Sequence, residues 1–516
     1  MATLTEQTPL QLDGQGLSID DLLKVCCSGE KVALSEGSLE AVKKSRAYVD
    51  KLIQEEQVVY GITTGFGYFK ERRIGQDAVE QLQHNLIVSH SAGVGEPLPK
   101  EAVRAMLLLR ANALAKGYSG IRPETLQLLV DMLNSGVHPR IPSQGSVGAS
   151  GDLSPLSHLA LVMIGEGEAE FEGRLMPGRA ALEAAGLKPI RLGAKEGLAL
   201  INGTQAMTAL GSLTLARARQ LAKLADVACA MTVEATLGSQ RAYLPHFHAQ
   251  RPHPGQASSA RNLMRLTADS VLIASHAGCD RVQDAYSLRC APQVHGASRD
   301  AIGYAEGVVS IELNSATDNP LIFPDEDEVL TGGHFHGQPV ALAMDFLGIA
   351  LSELANISER RIERLVNATY SNGLPMFLSE EGGLNSGYMV AQYTAASLVS
   401  ENKVLAHPAS VDSIPTSAGQ EDHVSMGTTA ARKAVNICDN AERVIAIELL
   451  CAAQALDFRE GLKPGVGSNA AYAAIRSTVP HLGADRVVAK DIEALMGILR
   501  DGSLLQAVEA ACGPLE

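Results

Sequence analysis

Apolar positions recur at intervals of three and four along several long stretches of this chain. The clearest runs from Pro339 to Asn367, where Val340, Met344, Leu347, Leu351 and Leu354 fall on one face of a helix. That stripe predicts a core-facing helix. Thr204 to Thr236, Ala391 to Ala406 and Thr428 to Leu456 read the same way, rich in Ala and Leu with few β-branched runs, a composition that favours helix. The fold is therefore expected to be mainly α. Long Ala-rich helices carry more apolar surface than one stripe hides, which points to bundling and subunit assembly. Glu166 to Arg174, flanked by glycines, predicts one small hairpin. No internal repeat or low-complexity segment interrupts the pattern.

At 516 residues the length allows several domains, yet no Pro-, Gly- or Ser-rich linker and no long charge block divides the chain. One large unit with a smaller N-terminal part is expected, residues 1–118 preceding a helical core of residues 119–516. The 43 basic residues against 58 acidic ones give a net charge of −15. With no basic cluster, this speaks against a nucleic-acid or membrane partner and for a protein acting on small molecules. The eight cysteines are scattered, and the adjacent Cys26 and Cys27 lack zinc or redox spacing. Reduced thiols in a cytoplasmic protein are the default reading. Met1 to Gly14 is polar, and no stretch reaches about 18 uncharged apolar residues, so neither a signal peptide nor a membrane span is expected.

The run Gly145-Ser-Val-Gly-Ala-Ser-Gly-Asp-Leu-Ser-Pro155 carries candidate chemistry. Attack of the Gly151 amide nitrogen on the Ala149 carbonyl carbon would close a five-membered ring. Loss of two waters, one taking the Ser150 hydroxyl, would leave an exocyclic methylidene, which is an electrophile. Gly151 offers no side chain to block the approach, Ala149 is small, and Ser150 supplies the leaving hydroxyl. Alone, Ala-Ser-Gly is ordinary turn composition. Asp152 and Ser154 are N-cap candidates, Pro155 suits a first helical position, and Leu156 to Ile164 reads as apolar helix. The turn would then sit at a positive helix end, which favours negative charge developing there.

These residues resemble the aromatic amino acid ammonia-lyase family, whose members build a methylidene-imidazolone from Ala-Ser-Gly. The resemblance extends through Tyr60-Gly-Ile-Thr-Thr-Gly-Phe-Gly67, Asn85 to Gly95, Leu200-Ile-Asn-Gly-Thr-Gln205, Gln283-Asp-Ala-Tyr-Ser-Leu-Arg289, Gly332-Gly-His-Phe-His336 and Gln420-Glu-Asp-His-Val-Ser-Met426, in family order. It implies a long helical bundle of the fumarase/aspartase-like kind, with the N-terminal part carrying an active-site loop. It also implies a homotetramer and a cofactor made from Ala149, Ser150 and Gly151 with none imported.

Eliminating ammonia from an α-amino acid needs an electrophile, because the amine leaves poorly, and a base, because the β-proton is scarcely acidic. The resemblance places the electrophile on Ser150, joined to the substrate through its amine or its aromatic ring. It puts the base on Tyr60, or alternatively on Tyr286. Glycines 61, 65 and 67 would let the Tyr60 loop close. A tyrosine titrates near pH ~10, so the base reading requires a lowered pKa and activity rising toward alkaline pH. Arg289 suits the substrate carboxylate through bidentate bonds. Gln283, Tyr286 and Arg289 step by three, so on a helix they would span an arc of about 120°, and Pro292 limits how far such a helix could run. Asn202 matches a family asparagine that hydrogen-bonds the substrate or ring, and Phe335 would line the pocket against an aromatic ring. His334, His336 and His423 beside Glu421 and Asp422 also admit a zinc reading, but no supporting Cys/His spacing accompanies it, and no metal is expected.

For substrate choice, His90 in Ser89-His90 and Glu421 discriminate. A carboxylate facing an imidazole finds an N–H donor, whereas facing a benzene ring it finds none. Both blocks follow the family's histidine-acting branch, implying conversion of L-histidine to urocanate. Thr63, His334 and Gly419 depart from that branch, which usually has Asn at all three positions. Tyrosine or phenylalanine elimination, or an aminomutase outcome, therefore stays open. So does a helical scaffold that has lost its chemistry. A serine hydrolase ranks last, because Gly148-Ala-Ser-Gly-Asp152 lacks the Gly-x-Ser-x-Gly elbow.

Overall fold

The structure is a computed structural model that describes residues 8–62, 64–65, 75 and 78–516. The apolar stripe of residues 340–354 lies on the helix Gln338–Val366, and Val340, Met344, Leu347, Leu351 and Leu354 are all fully buried. Gln205–Ala235, Met389–Leu405 and Gly427–Asp457 are likewise helices, close to the spans that their periodicity predicts. By length and composition Gln338–Val366 is apolar enough to cross a membrane, which the sequence reading did not foresee. However, 67% of its most apolar window is buried, as in a core helix.

Two compact units emerge. The first comprises Met1–Leu213, Glu306–Asp345 and Pro408–Arg432, and the second Thr214–Ala305, Phe346–His407 and Lys433–Glu516. The expected division after residue 118 does not coincide with them. Helices Lys100–Ala115 and Pro123–Ser135, on either side of that point, pack together within the first unit.

In the first unit, Leu10–Leu12 pairs in parallel with Val32–Leu34, and helix Ile19–Cys27 starts at a capping box on Ser18. Helix Lys100–Ala115 is buried on every side from Ala102 onward, Arg104, Arg110 and Asn112 included, as befits a central core helix. The expected hairpin is present as Glu168–Phe171 against Arg174–Pro177. Its two-residue turn places Glu172 and Gly173 at φ of 49° and 75°, the positive values that a type I′ turn needs.

The second unit is helical and holds a buried ionic lattice. Asp226 accepts from His295 Nδ1 at 2.7 Å and from Arg299 at 2.6 Å. Arg361 pairs with Glu448 at 2.5 Å and donates to His295 Nε2 at 3.2 Å. With one ring nitrogen donating and the other accepting, His295 is neutral, and burial holds its pKa down as well.

Candidate active site

Ala149, Ser150 and Gly151 lie just before the helix Leu153–Met163. Gly151 has φ +68°, and a Cβ there would meet the Gly203 carbonyl oxygen at 2.1 Å, so only glycine fits. Ala149 is buried and packs with Val424 and Met426. The Asp152 amide donates to Gly203 O at 2.6 Å, and Met426 N donates to Val147 O at 2.8 Å. Gly148 O accepts from Gly337 N at 3.2 Å and from Ser425 Oγ at 2.8 Å.

Asp152 holds the expected cap position but does not cap its own helix. Its Oδ2 instead accepts from the amides of Ala206 and Met207, both at 2.9 Å, in the first turn of Gln205–Ala235. Its Oδ1 accepts from Ser146 Oγ at 2.9 Å and from Thr428. Burial pushes the Asp152 carboxyl up from its ordinary pKa, against those donors. Pro155 occupies the third helical position rather than the first, where an amide would also lack an intrahelical partner. Helices Leu153–Met163, Gln205–Ala235, Gln338–Val366 and Gly427–Asp457 thus all begin at, or next to, residues bonded to the segment 147–152. Each helix start carries roughly half a positive charge, so negative charge forming at this turn is stabilised.

The turn borders a cavity of about 1050 Å³ that Tyr60, His90, Ala149, Ser150, Asn202, Phe335 and Glu421 all line. Ser150 Oγ donates to Glu421 Oε1 at 3.0 Å, and Thr416 Oγ1 donates to Glu421 Oε2 at 2.5 Å. Thr416 and Glu421 also pair through their backbones, so the carboxylate is fixed at both oxygens. Sequence reasoning missed Thr416, because a threonine five residues before a glutamate carries no local signal.

His90 closes the helix Val79–His90. Ser89 Oγ donates to Leu86 O at 3.2 Å and lies 3.1 Å from His90 Nδ1. With the hydroxyl proton so engaged, Nδ1 donates to Ser89 and Nε2 is left as an acceptor. Burial pulls the His90 pKa below its ordinary value, while Leu86 and the Glu421 carboxylate pull the other way.

Tyr60 is half-buried in a turn where Gly61 takes φ +70°. Gly67, like Thr63, lies outside the described residues. Gly332 N donates to Asn319 Oδ1 at 2.7 Å, fixing the approach to Phe335. His336 and His423 stack with ring centroids 5.8 Å apart and planes 5° from parallel. The Gln338 amide donates to His336 Nδ1, so the other ring nitrogen donates to His423 O at 3.2 Å. Among the described residues, no group of three or more His, Cys, Asp or Glu side chains is placed to hold a metal.

Two departures from the histidine-acting pattern acquire physical readings. His334 is exposed and is not among the residues lining the cavity. Gly419 has φ +84° with open space around a built Cβ. Asn is the other residue type that readily takes a left-handed conformation, so this exchange concerns a backbone turn rather than the substrate.

Gln283, Tyr286 and Arg289 belong to the second unit and do not line the cavity. They do not share a helix either. The helical turn is Tyr286–Arg289, Gln283 precedes it, and Pro292 lies in the first turn of Ala291–Glu312. Tyr286 and Gln283 are exposed, and the Arg289 guanidinium sits 4.6 Å from the Tyr286 ring centroid. Tyr243 anchors this turn by donating to Leu288 O at 2.9 Å.

A family model for aromatic amino acid lyases matches residues 17–477. The chain is 73% identical to a histidine ammonia-lyase of Gloeobacter violaceus, over 98% of its own length and 99% of that protein's. Among solved structures, histidine ammonia-lyase from Trypanosoma cruzi matches with a TM-score of 0.91 at 48% identity, covering 98% of this chain and 96% of that one. Tyrosine aminomutase from Streptomyces globisporus matches with a TM-score of 0.94 at 40% identity, covering 99% and 100%.

Proposed function

The chain belongs to the aromatic amino acid lyase family, and on that premise we propose that it eliminates ammonia from L-histidine to give urocanate. The electrophile is a methylidene-imidazolone condensed from Ala149, Ser150 and Gly151. The residues fit such a group: Gly151 has no room for a Cβ, Ala149 is buried, and Asp152, the next residue, is held by two amides at the start of Gln205–Ala235 and by Thr428 at the start of Gly427–Asp457. Once formed, it supplies an electrophilic carbon that makes ammonia a better leaving group.

The observation that carries the histidine reading is Glu421 at the cavity wall, bonded to Ser150 Oγ and close enough to His90 to influence its ionisation. Departure of the Ser150 hydroxyl frees Glu421 Oε1, while Thr416 keeps the carboxylate aimed. Glu421 then accepts from one N–H of the substrate imidazole, and His90 Nε2 accepts from the second N–H that the ring carries when protonated. Tyr60, on the cavity wall, takes the β-proton as the bond from the α-carbon to nitrogen breaks and the double bond forms. The greater identity to histidine-acting enzymes favours elimination over the aminomutase outcome.

Among the described residues lining the cavity there is no lysine or arginine, so the substrate carboxylate needs a partner from elsewhere. We assign this to Arg289, with Tyr286 stacked on it, presented by a neighbouring copy in a homotetramer. Exposed Phe346, Ile349, Val390, Tyr393 and Val404 on the second unit's helices support assembly.

Glu421→Gln is expected to lower kcat/KM for histidine by roughly tenfold to 150-fold, the loss of a hydrogen bond to a charged group. An unchanged value would remove Glu421 from imidazole recognition. The reading as a whole is tested by ammonia release from histidine, tyrosine and phenylalanine measured in parallel. Histidine alone should turn over, and turnover of tyrosine or phenylalanine with histidine inert would overturn it.

A further inference from the structure

Asn202 ends the short helix Glu196–Ile201, and Lys195 precedes it at φ +71°, a left-handed conformation unfavourable to a residue with a Cβ. The Lys195 side chain is wholly buried, with Nζ 2.7 Å from Oδ2 of the equally buried Asp318. Arg110, also buried, donates to the carbonyls of Ala199 at 2.9 Å, Asn202 at 3.2 Å and Thr317 at 3.2 Å. Burial works against both cations, pulling Lys195 below its ordinary pKa and Arg110 down to about 10, while Asp318 opposes both shifts. A buried ion pair is seldom a source of stability, because desolvation offsets the attraction.

Its consequence here is geometric. Asp318 Oδ1 accepts from the Asn319 amide at 2.7 Å and from Asn202 Nδ2 at 3.5 Å, and Asn319 O accepts from the same Nδ2 at 3.1 Å. Both neighbours only accept, so the Asn202 amide cannot turn over without setting oxygen against oxygen. Among the described residues, Asn202 Oδ1 is left buried and without a hydrogen-bond partner. The same side chain lines the cavity with Ser150.

We propose that Lys195 and Asp318 are positioning residues that hold the Asn202 carbonyl oxygen as the acceptor for the substrate's α-amino group. The inference rests on the histidine reading above and deepens it, giving the amino end of the substrate its own partner. A buried acceptor awaiting a donor rewards ligands that bring an N–H and penalises those that do not.

Lys195→Met combined with Asp318→Asn removes both charges of the pair together, leaving the Arg110 guanidinium to its carbonyl acceptors on Ala199, Asn202 and Thr317. Lys195→Gln, which keeps a donor to Asp318, is the milder second variant. Each is examined by intact mass, by kcat and KM for L-histidine, and by inhibition with histamine, which has the amino group alone, and with imidazolepropionate, which has the carboxylate alone. In whichever variant folds, the chain should be two waters lighter than its sequence and its KM raised about tenfold, with histamine weakened by the same factor. Imidazolepropionate should stay within about twofold of the unmodified enzyme. Equal weakening of both inhibitors, an unchanged histamine constant, or a variant at full sequence mass overturns the proposal. The last result would assign the pair to cyclisation instead. Should the unsubstituted enzyme bind neither inhibitor and release no ammonia from histidine, the substrate reading falls, and the partner assigned to Asn202 falls with it.

Discussion

Ser150→Ala is expected to end ammonia release from L-histidine while leaving the fold intact. The loss should be on the order of 10³-fold or more in kcat, as when a site loses a reacting group for which nothing substitutes. Alanine cannot shed water, so no exocyclic double bond forms and the substrate meets no electrophile. Structurally, the hydroxyl that bonds Glu421 at 3.0 Å in the uncyclised chain leaves on cyclisation in any case, so the substitution deletes no side-chain contact that the active protein keeps. Unfolding free energy should therefore change by no more than about 0.5 kcal/mol. Chemical denaturation and an ammonia assay on the same preparation separate the two effects. A variant that keeps half of its turnover would contradict the role given to Ser150, and one that fails to fold would contradict the packing described around it.

Tyr60→Phe should reduce kcat by roughly 10²-fold to 10⁴-fold, the usual contribution of a positioned general base. The ring still fits, since only the hydroxyl is removed. Proton removal by a tyrosinate makes turnover climb toward alkaline pH, and this limb should vanish in the variant. Tyr286→Phe is the natural comparison. Tyr60 lines the cavity with Ser150, whereas Tyr286 is exposed on the second unit with Arg289 against its ring. Its substitution should raise KM more than it lowers kcat. The reverse pattern, a mild Tyr60 variant and a nearly inert Tyr286 variant, would make Tyr286 the base.

The long helices were legible because their evidence is local. Val340, Met344 and Leu347 recur at the spacing of one helical face, and that face is buried. Glycine at 173 similarly announced the hairpin turn. The site is another matter, because its walls come from segments as far apart as Tyr60, Asn202 and Glu421, and no periodicity links them. Resemblance to family blocks brought those residues together in advance. It could not reveal what only the fold decides. Asp152 reads as a cap for the following helix, yet its oxygens go to Ala206, Met207, Ser146 and Thr428. Nothing in the local sequence singles out Lys195, which is fully buried against Asp318. Gln283 reads as a helical neighbour of Tyr286 but precedes the turn. No linker marks residue 118, and without such punctuation the sequence says little about which helices pack together.

The intact mass of the purified chain tests the central claim most directly, because it reports whether residues 149–151 have cyclised whatever the substrate. The account predicts a chain lighter than its sequence by two waters, with the deficit confined to the peptide containing Ser150. A chain at its full sequence mass that still converts histidine to urocanate at an undiminished rate would contradict it.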